Sequence, residues 1–255
     1  MIHIVKPELY RIKYDKIVYI CLFIALFFTA SLCVNYEYTY IEIPVRNGLK
    51  YYNSWNTFAE YFFADYSMFY PLIIIVGRCF LLDAKFKIYP VIIAKGIAKK
   101  YIFISKLVTS FLITIVYFCI NVLTAICIIG ILGEYPYELD LEKVIIYLVA
   151  ELGCYVFFSG FVIMICTLVK RVSVTFVVTI VLIMISYFYL TKIGTALDIE
   201  ISLYEYSIIG FATNMKISSL ISMLDKIPAV IIESLGFIYI SYYAFMHNSF
   251  RKDQQ

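Results

Sequence analysis

Charge is what this chain has least of. Asp, Glu, Lys and Arg make up 15% of its 255 residues against 63% hydrophobic ones, and the mean hydropathy is +0.89, far from the balance of a water-soluble domain. Ten Gly and six Pro are too few for collagen, disordered tracts or long linkers. The seven cysteines (Cys21, Cys33, Cys79, Cys119, Cys127, Cys154 and Cys166) form no Cys-x-x-Cys pair and fall in apolar runs. That excludes a disulfide scaffold and reads as apolar thiols. Only two histidines exist, His3 and His247, near opposite ends, so there is no His-Glu-x-x-His zinc helix. A Gly-x-Ser-x-Gly elbow and an Asp dyad are missing too, and catalysis by the chain alone is not expected.

Long apolar runs are what the sequence has instead. A membrane span needs about 20 predominantly apolar residues, and six stretches qualify: Ile17 to Val34, Phe58 to Leu82, Leu107 to Leu132, Val144 to Val169, Val174 to Leu190 and Ala229 to Met246. The fold class predicted is an all-α integral membrane protein, one transmembrane domain over 1–255, with six spans. The first run follows a basic segment as a signal peptide would, but it is long for a cleaved h-region and no Ala-x-Ala site follows. It reads as a retained span. Ala30-Ser31-Leu32-Cys33 is no lipoprotein site, because Leu32 is bulky where a small residue is required.

The basic residues are sorted by loop. The segments before span 1, between spans 2 and 3, between 4 and 5, and after span 6 hold fourteen Lys and Arg, whereas the three opposite connections hold six, together with ten acids. Basic loops resist translocation, so both termini are predicted to be cytosolic. Residues 1–16 should form an amphipathic segment along the inner surface, with Pro7 in its first helical turn. In the first outer connection, Asn35 to Thr57, five Tyr and Trp55 suit the headgroup level. In the connection 191–228, apolar residues from Ile208 to Leu224 recur at three- and four-residue intervals, which predicts short amphipathic helices lying on the membrane. They either cap an exit pathway or merely join two spans.

The cytosolic connection 83–106 carries the most information. Apolar Val91, Ile92 and Ile93 precede Lys95, Gly96, Lys99 and Lys100, and Lys106 enters span 3. Pro90 suits a helix start and Gly96 a break, which predicts a short amphipathic helix at the membrane surface. The lysines on their own would also suit anionic lipid headgroups.

In this segment the chain resembles the ABC-2 family of transporter permeases. Asp83 stands where that family has an acid, Ile92-Ile93 for a Leu pair, Gly96-Ile97-Ala98-Lys99 for Gly-Ile-Ser-Arg, and Ser105-Lys106 for the closing pair; Lys87-Ile88 and Pro90 depart from the pattern. The resemblance implies a permease subunit of an exporter that dimerises with a second copy or a paralogue. It also implies that the segment from Asp83 to Lys106 couples to separate cytosolic ATPases. No Gly-x-x-x-x-Gly-Lys-Ser/Thr loop occurs here, so ATP and magnesium would be held by that partner and no cofactor by this chain. The implied location is a bacterial plasma membrane, with lipid but no nucleic acid among the partners. Within the family the chain looks most like small Gram-positive permeases that export, or confer immunity to, amphipathic peptides, such as the phenol-soluble modulin exporters. The implied cargo is a hydrophobic or amphipathic peptide, with drugs, lipids or ions as alternatives. A non-transporting membrane immunity or sensor protein is the reading from another class.

Four acids lie in or near spans: Glu60, Asp65, Glu151 and Glu233. At 1.5 Å per residue they sit roughly 3 to 11 Å below the outer boundary. Each should face protein or a wet cavity, because a carboxylate at the centre of a span costs about 3 kcal/mol. Glu151 shares a helical stripe with Tyr147, Tyr155 and Ser159. Asp65, Tyr147, Glu151 and Tyr155 are therefore candidates for a substrate path that attracts a cationic amphiphile, the alternative being a hydrogen-bonded contact between helices.

Overall fold

A computed structural model of the chain describes residues 2–38, 42–45, 48–51, 66–85, 88–132, 141–196, 206–214 and 226–247. Among these residues, nine α-helices follow in order. They are α1 (Ile2–Lys13), α2 (Lys16–Tyr38), α3 (Phe69–Lys85, after a 3-10 turn at Tyr66–Met68), α4 (Ile88–Ala94), α5 (Lys99–Leu132), α6 (Leu141–Val169), α7 (Val172–Ala196), α8 (Ile208–Asn214) and α9 (Ile227–His247). Five of them, α2, α5, α6, α7 and α9, are long and apolar enough to cross a membrane. The chain is a helical multi-pass membrane protein. The predicted second span is described only in part, as the shorter apolar helix Phe69–Leu82; residues 58–65 lie outside the described residues.

Lipid offers helices no hydrophobic reason to associate, so contacts depend on close packing and on hydrogen bonds between helices. α2 shows the first device: Cys21, Ala25, Thr29 and Cys33 recur every fourth residue and are buried, while Ile20, Phe23, Ile24 and Phe27 face outward. The small stripe lets α2 close on α3 and α5. α5 buries Ser105, Thr109, Ser110 and Thr114, and the hydroxyls of Ser105, Thr109 and Thr114 donate to carbonyls three or four residues back, so none enters the interior unmatched. At mid-bundle the Thr29 hydroxyl donates to Asn121 Oδ1 at 2.7 Å, and the Tyr117 hydroxyl to the Met68 carbonyl at 2.6 Å. These bonds tie α2, α5 and the start of α3 together. α6 is the central helix, with 56% of its span buried against 11% for peripheral α7; it packs on α3, α5, α7, α8 and α9.

One end of the bundle gathers the basic segments. Glu8 of α1 pairs with Lys106 of α5, and Asp15, between α1 and α2, pairs with Arg78 of α3 at 2.7 Å. Lys99 at the start of α5 reaches the Met246 carbonyl near the end of α9 at 3.4 Å. The α6–α7 turn, Lys170-Arg171, lines a groove shared with Arg78. Asp15 also caps α2, its Oδ1 accepting the Ile17 N–H at 3.0 Å.

Three expectations change. Pro7 lies inside α1, beyond the first turn, where its missing N–H removes one ladder bond. Cys119 and Cys127 are exposed on the outer face of α5 and are not buried thiols. α8 has no amphipathic surface face: Ile208, Ile209, Phe211 and Ala212 are all buried, and the helix packs on α6 and α9, while the rest of the predicted amphipathic stretch, 215–224, lies outside the described residues. Its sequence IIGFATN is apolar nearly all round, so protein contact satisfies it better than an interface with one wet side. The predicted aromatic anchor region also contains an antiparallel hairpin of β1 (Glu42–Val45) and β2 (Gly48–Tyr51), pairing Glu42 with Tyr51 and Val45 with Gly48.

Candidate functional site

The basic connection is built as a rigid shelf. α4 is held to the bundle by buried Tyr89, whose hydroxyl donates to the Phe80 carbonyl at 3.0 Å and whose ring meets Phe245 edge-on at 5.7 Å. Phe103 packs on both Phe80 and Phe245, so the cluster joins α3, α4, α5 and α9. The helix stops in a Schellman arrangement: the Gly96 N–H donates to the Ile93 carbonyl at 2.9 Å and the Ile97 N–H to the Ile92 carbonyl at 3.4 Å. Gly96 has φ 85°, a left-handed backbone that glycine takes without a Cβ penalty.

The predicted coupling residues separate into three groups. Val91 is 56% exposed and Lys95 is exposed beside it. Ile92 and Ile93 are partly buried and pack on the hydrophobic core, so they hold the shelf instead of facing outward. Lys99, Lys100 and Lys106 belong to α5, which begins eight residues before the predicted span. Lys100 lies over the Tyr101 ring at 5.1 Å. Lys106 is buried, bonded to Glu8 and to the Cys79 carbonyl at 3.2 Å, and faces neither a headgroup nor the surface. Asp83 falls in the last turn of α3.

The candidate path residues on α6 are brought together, but inside the bundle. Tyr147, Glu151, Tyr155 and Ser159 are all buried. Tyr155 stacks on Phe69 of α3 at 4.6 Å and meets Phe118 of α5 at 5.1 Å. The Tyr147 hydroxyl donates to Glu151 Oε1 over a long 3.4 Å, while Glu151 Oε2 has no hydrogen-bond partner. Leaving a buried acceptor unmatched costs about 1–3 kcal/mol, and Oε2 adds no bond to the one from Tyr147. Asp65 and Glu60 lie outside the described residues. Glu233 plays a structural part, because its Oε2 accepts the Ile208 N–H at 2.9 Å, and Ser207 Oγ accepts the Gly210 N–H at 3.1 Å. Together they satisfy the start of α8.

Sequence reasoning missed Glu8 and Asp15 as partners of the basic residues. A carboxylate amid the basic N-terminal segment was the available signal. Among the described residues no cluster of three His, Cys, Asp or Glu side chains is placed to hold a metal ion. No protein-family model matches this chain, and no curated protein matches it.

Proposed function

We propose that this chain is the transmembrane permease subunit of an ATP-driven exporter of the ABC-2 type, working as a dimer with separate cytosolic ATPases and carrying a hydrophobic or amphipathic peptide. The observation that supports this most is the α4 shelf. A docking element must transmit force, so it needs a rigid attachment on one side and a free face on the other. α4 has Tyr89, Ile92 and Ile93 on the bundle side, a glycine-terminated end, and Val91 and Lys95 exposed at the basic end. The ABC-2-like residues of the sequence fall on this same segment. Its side of the membrane is taken to be cytosolic because basic loops are retained there.

Co-purification from native membranes with an ATPase carrying a phosphate-binding loop, followed by ATP-driven peptide uptake into inverted vesicles, tests the reading. Association abolished by Val91→Asp with Lys95→Glu is the expected result. Transport that continues without any ATPase overturns it. The enclosed Tyr147–Glu151–Tyr155 stripe favours a second reading, a membrane immunity protein that binds its partner without moving it. Protection of cells from a peptide toxin, with no ATP-dependent flux, would select that one.

A further inference from the structure

Between the basic ends of α2, α3 and α7 lies a groove of about 790 Å³. Its lining is apolar apart from Ser173 and three cations, with Ile17, Leu81, Leu82 and Val172 at the level of the cations or beyond it. Arg78, Lys170 and Arg171 stand at the basic end; Ile74, one turn deeper on α3, and Phe176 and Val177, more than one turn deeper on α7, are apolar. At 1.5 Å per residue these three lie about 6 to 10 Å further into the bundle than the cations. Arg78 gives Nε and one Nη to Asp15, which leaves part of its guanidinium for another acceptor. Lys170 and Arg171 are exposed and have no carboxylate partner among the described residues. Among the described residues, only Arg78 of these three cations is paired with a carboxylate. Lys170 also holds φ 60°, a left-handed backbone costing a non-glycine residue about 1–2 kcal/mol. Glycine is the usual occupant of such a helix end, so lysine there retains a charge at the expense of backbone strain.

We propose that this groove binds an anionic phospholipid of the adjacent leaflet, with its phosphate at Arg78, Lys170 and Arg171 and an acyl chain along Ile74, Phe176 and Val177. The volume lies in the range of ligand pockets, and cations beside a mostly apolar lining suit a charged headgroup with a hydrocarbon chain. A cationic amphipathic peptide would match the apolar part but meet the wrong charge at the rim. The inference stands apart from the transport reading, since any multi-pass protein with this groove would hold the same lipid.

Native mass spectrometry of the purified full chain, equilibrated in detergent with equal phosphatidylglycerol and phosphatidylcholine, is the test. Phosphatidylglycerol adducts should dominate. The Lys170→Gly/Arg171→Gln variant should lose affinity roughly thirtyfold, from about one basic residue's contribution each. Lys170→Gly relieves backbone strain, so folding should survive; Arg171→Gln alone, expected to lose roughly fivefold, covers the case in which the double variant does not fold. Lys192→Gln, on the far part of α7, should bind as the parent does. Equal retention of the two lipids, or undiminished binding by the double variant, would overturn the proposal. So would displacement by glycerol phosphate, which has no acyl chain, or tighter binding of a cationic amphipathic peptide to the same groove.

Discussion

Lys106, at the entrance to the third predicted span, is buried against Glu8, 98 positions earlier in the chain. The pair fastens α1 to α5 at the basic end, and its lysine also meets the Cys79 carbonyl of α3. Breaking a buried pair leaves an uncompensated charge at a cost of about 3–5 kcal/mol, whereas replacing both partners by apolar residues is often close to neutral. Glu8→Leu and Lys106→Met should each lower the thermal midpoint in detergent, and the combined variant should recover most of the loss. Additive losses in the double-mutant cycle would show that the two charges do not act as a pair.

If the proposed docking role holds, the α4 shelf separates attachment from docking. Val91→Asp changes an exposed residue and should leave stability within about 0.5 kcal/mol while abolishing ATPase association. Ile92→Asp puts a charge where the side chain packs on the core, so it should destabilise the chain before any partner is considered. Gly96→Ala should cost about 1 kcal/mol through its left-handed backbone, although a Cβ there would meet nothing within 4 Å. Equal thermal midpoints for Ile92→Asp and Val91→Asp would contradict this division.

The sidedness rests on the sorting of basic residues, and labelling reads it directly. In a background with all seven cysteines replaced, Lys192→Cys should react with an impermeant maleimide on intact cells and Ser173→Cys should not; both sites are exposed on α7. The reverse pattern would turn the bundle over.

Five of the six predicted spans were legible as long apolar helices because burial in lipid needs only apolar length. Predicted Val144 to Val169 falls within α6 and Ala229 to Met246 within α9. α5 begins at Lys99, eight residues before the predicted span, and continues through Lys100 and Lys106 where hydropathy falls; the charge on Lys106 is answered by a glutamate from α1 that no local window contains. Asp15 and Arg78, 63 positions apart, escaped for the same reason. α8 failed differently. An amphipathic period assumes one wet face, and Ile208 to Ala212 have protein on every side. Of the site, the Tyr147–Glu151–Tyr155 stripe followed from helical spacing alone, but whether it faced a cavity or neighbouring helices depended on Phe69 and Phe118 of other helices.

Glu151 separates stability from function. Its Oε1 has one long bond, to Tyr147 of the same helix, and its Oε2 has no partner, so the carboxyl weakens the packed bundle by the cost of an unmatched acceptor, about 1–3 kcal/mol. Glu151→Leu, similar in size and without polar atoms, should therefore raise the thermal midpoint in detergent, the opposite of the usual effect of a core substitution. Glu151→Gln keeps the shape and introduces an N–H₂ that also needs a partner, so it should not stabilise. If the residue is retained for function, a stabilised Glu151→Leu variant should lose ATP-driven peptide transport while inserting normally, and Glu151→Gln should retain more activity for a neutral peptide than for a cationic one. A drop in the thermal midpoint of Glu151→Leu would reveal a structural partner for this carboxyl and remove it from the substrate path. A stabilised variant with full transport would leave Tyr147 and Tyr155 as the candidates on that stripe.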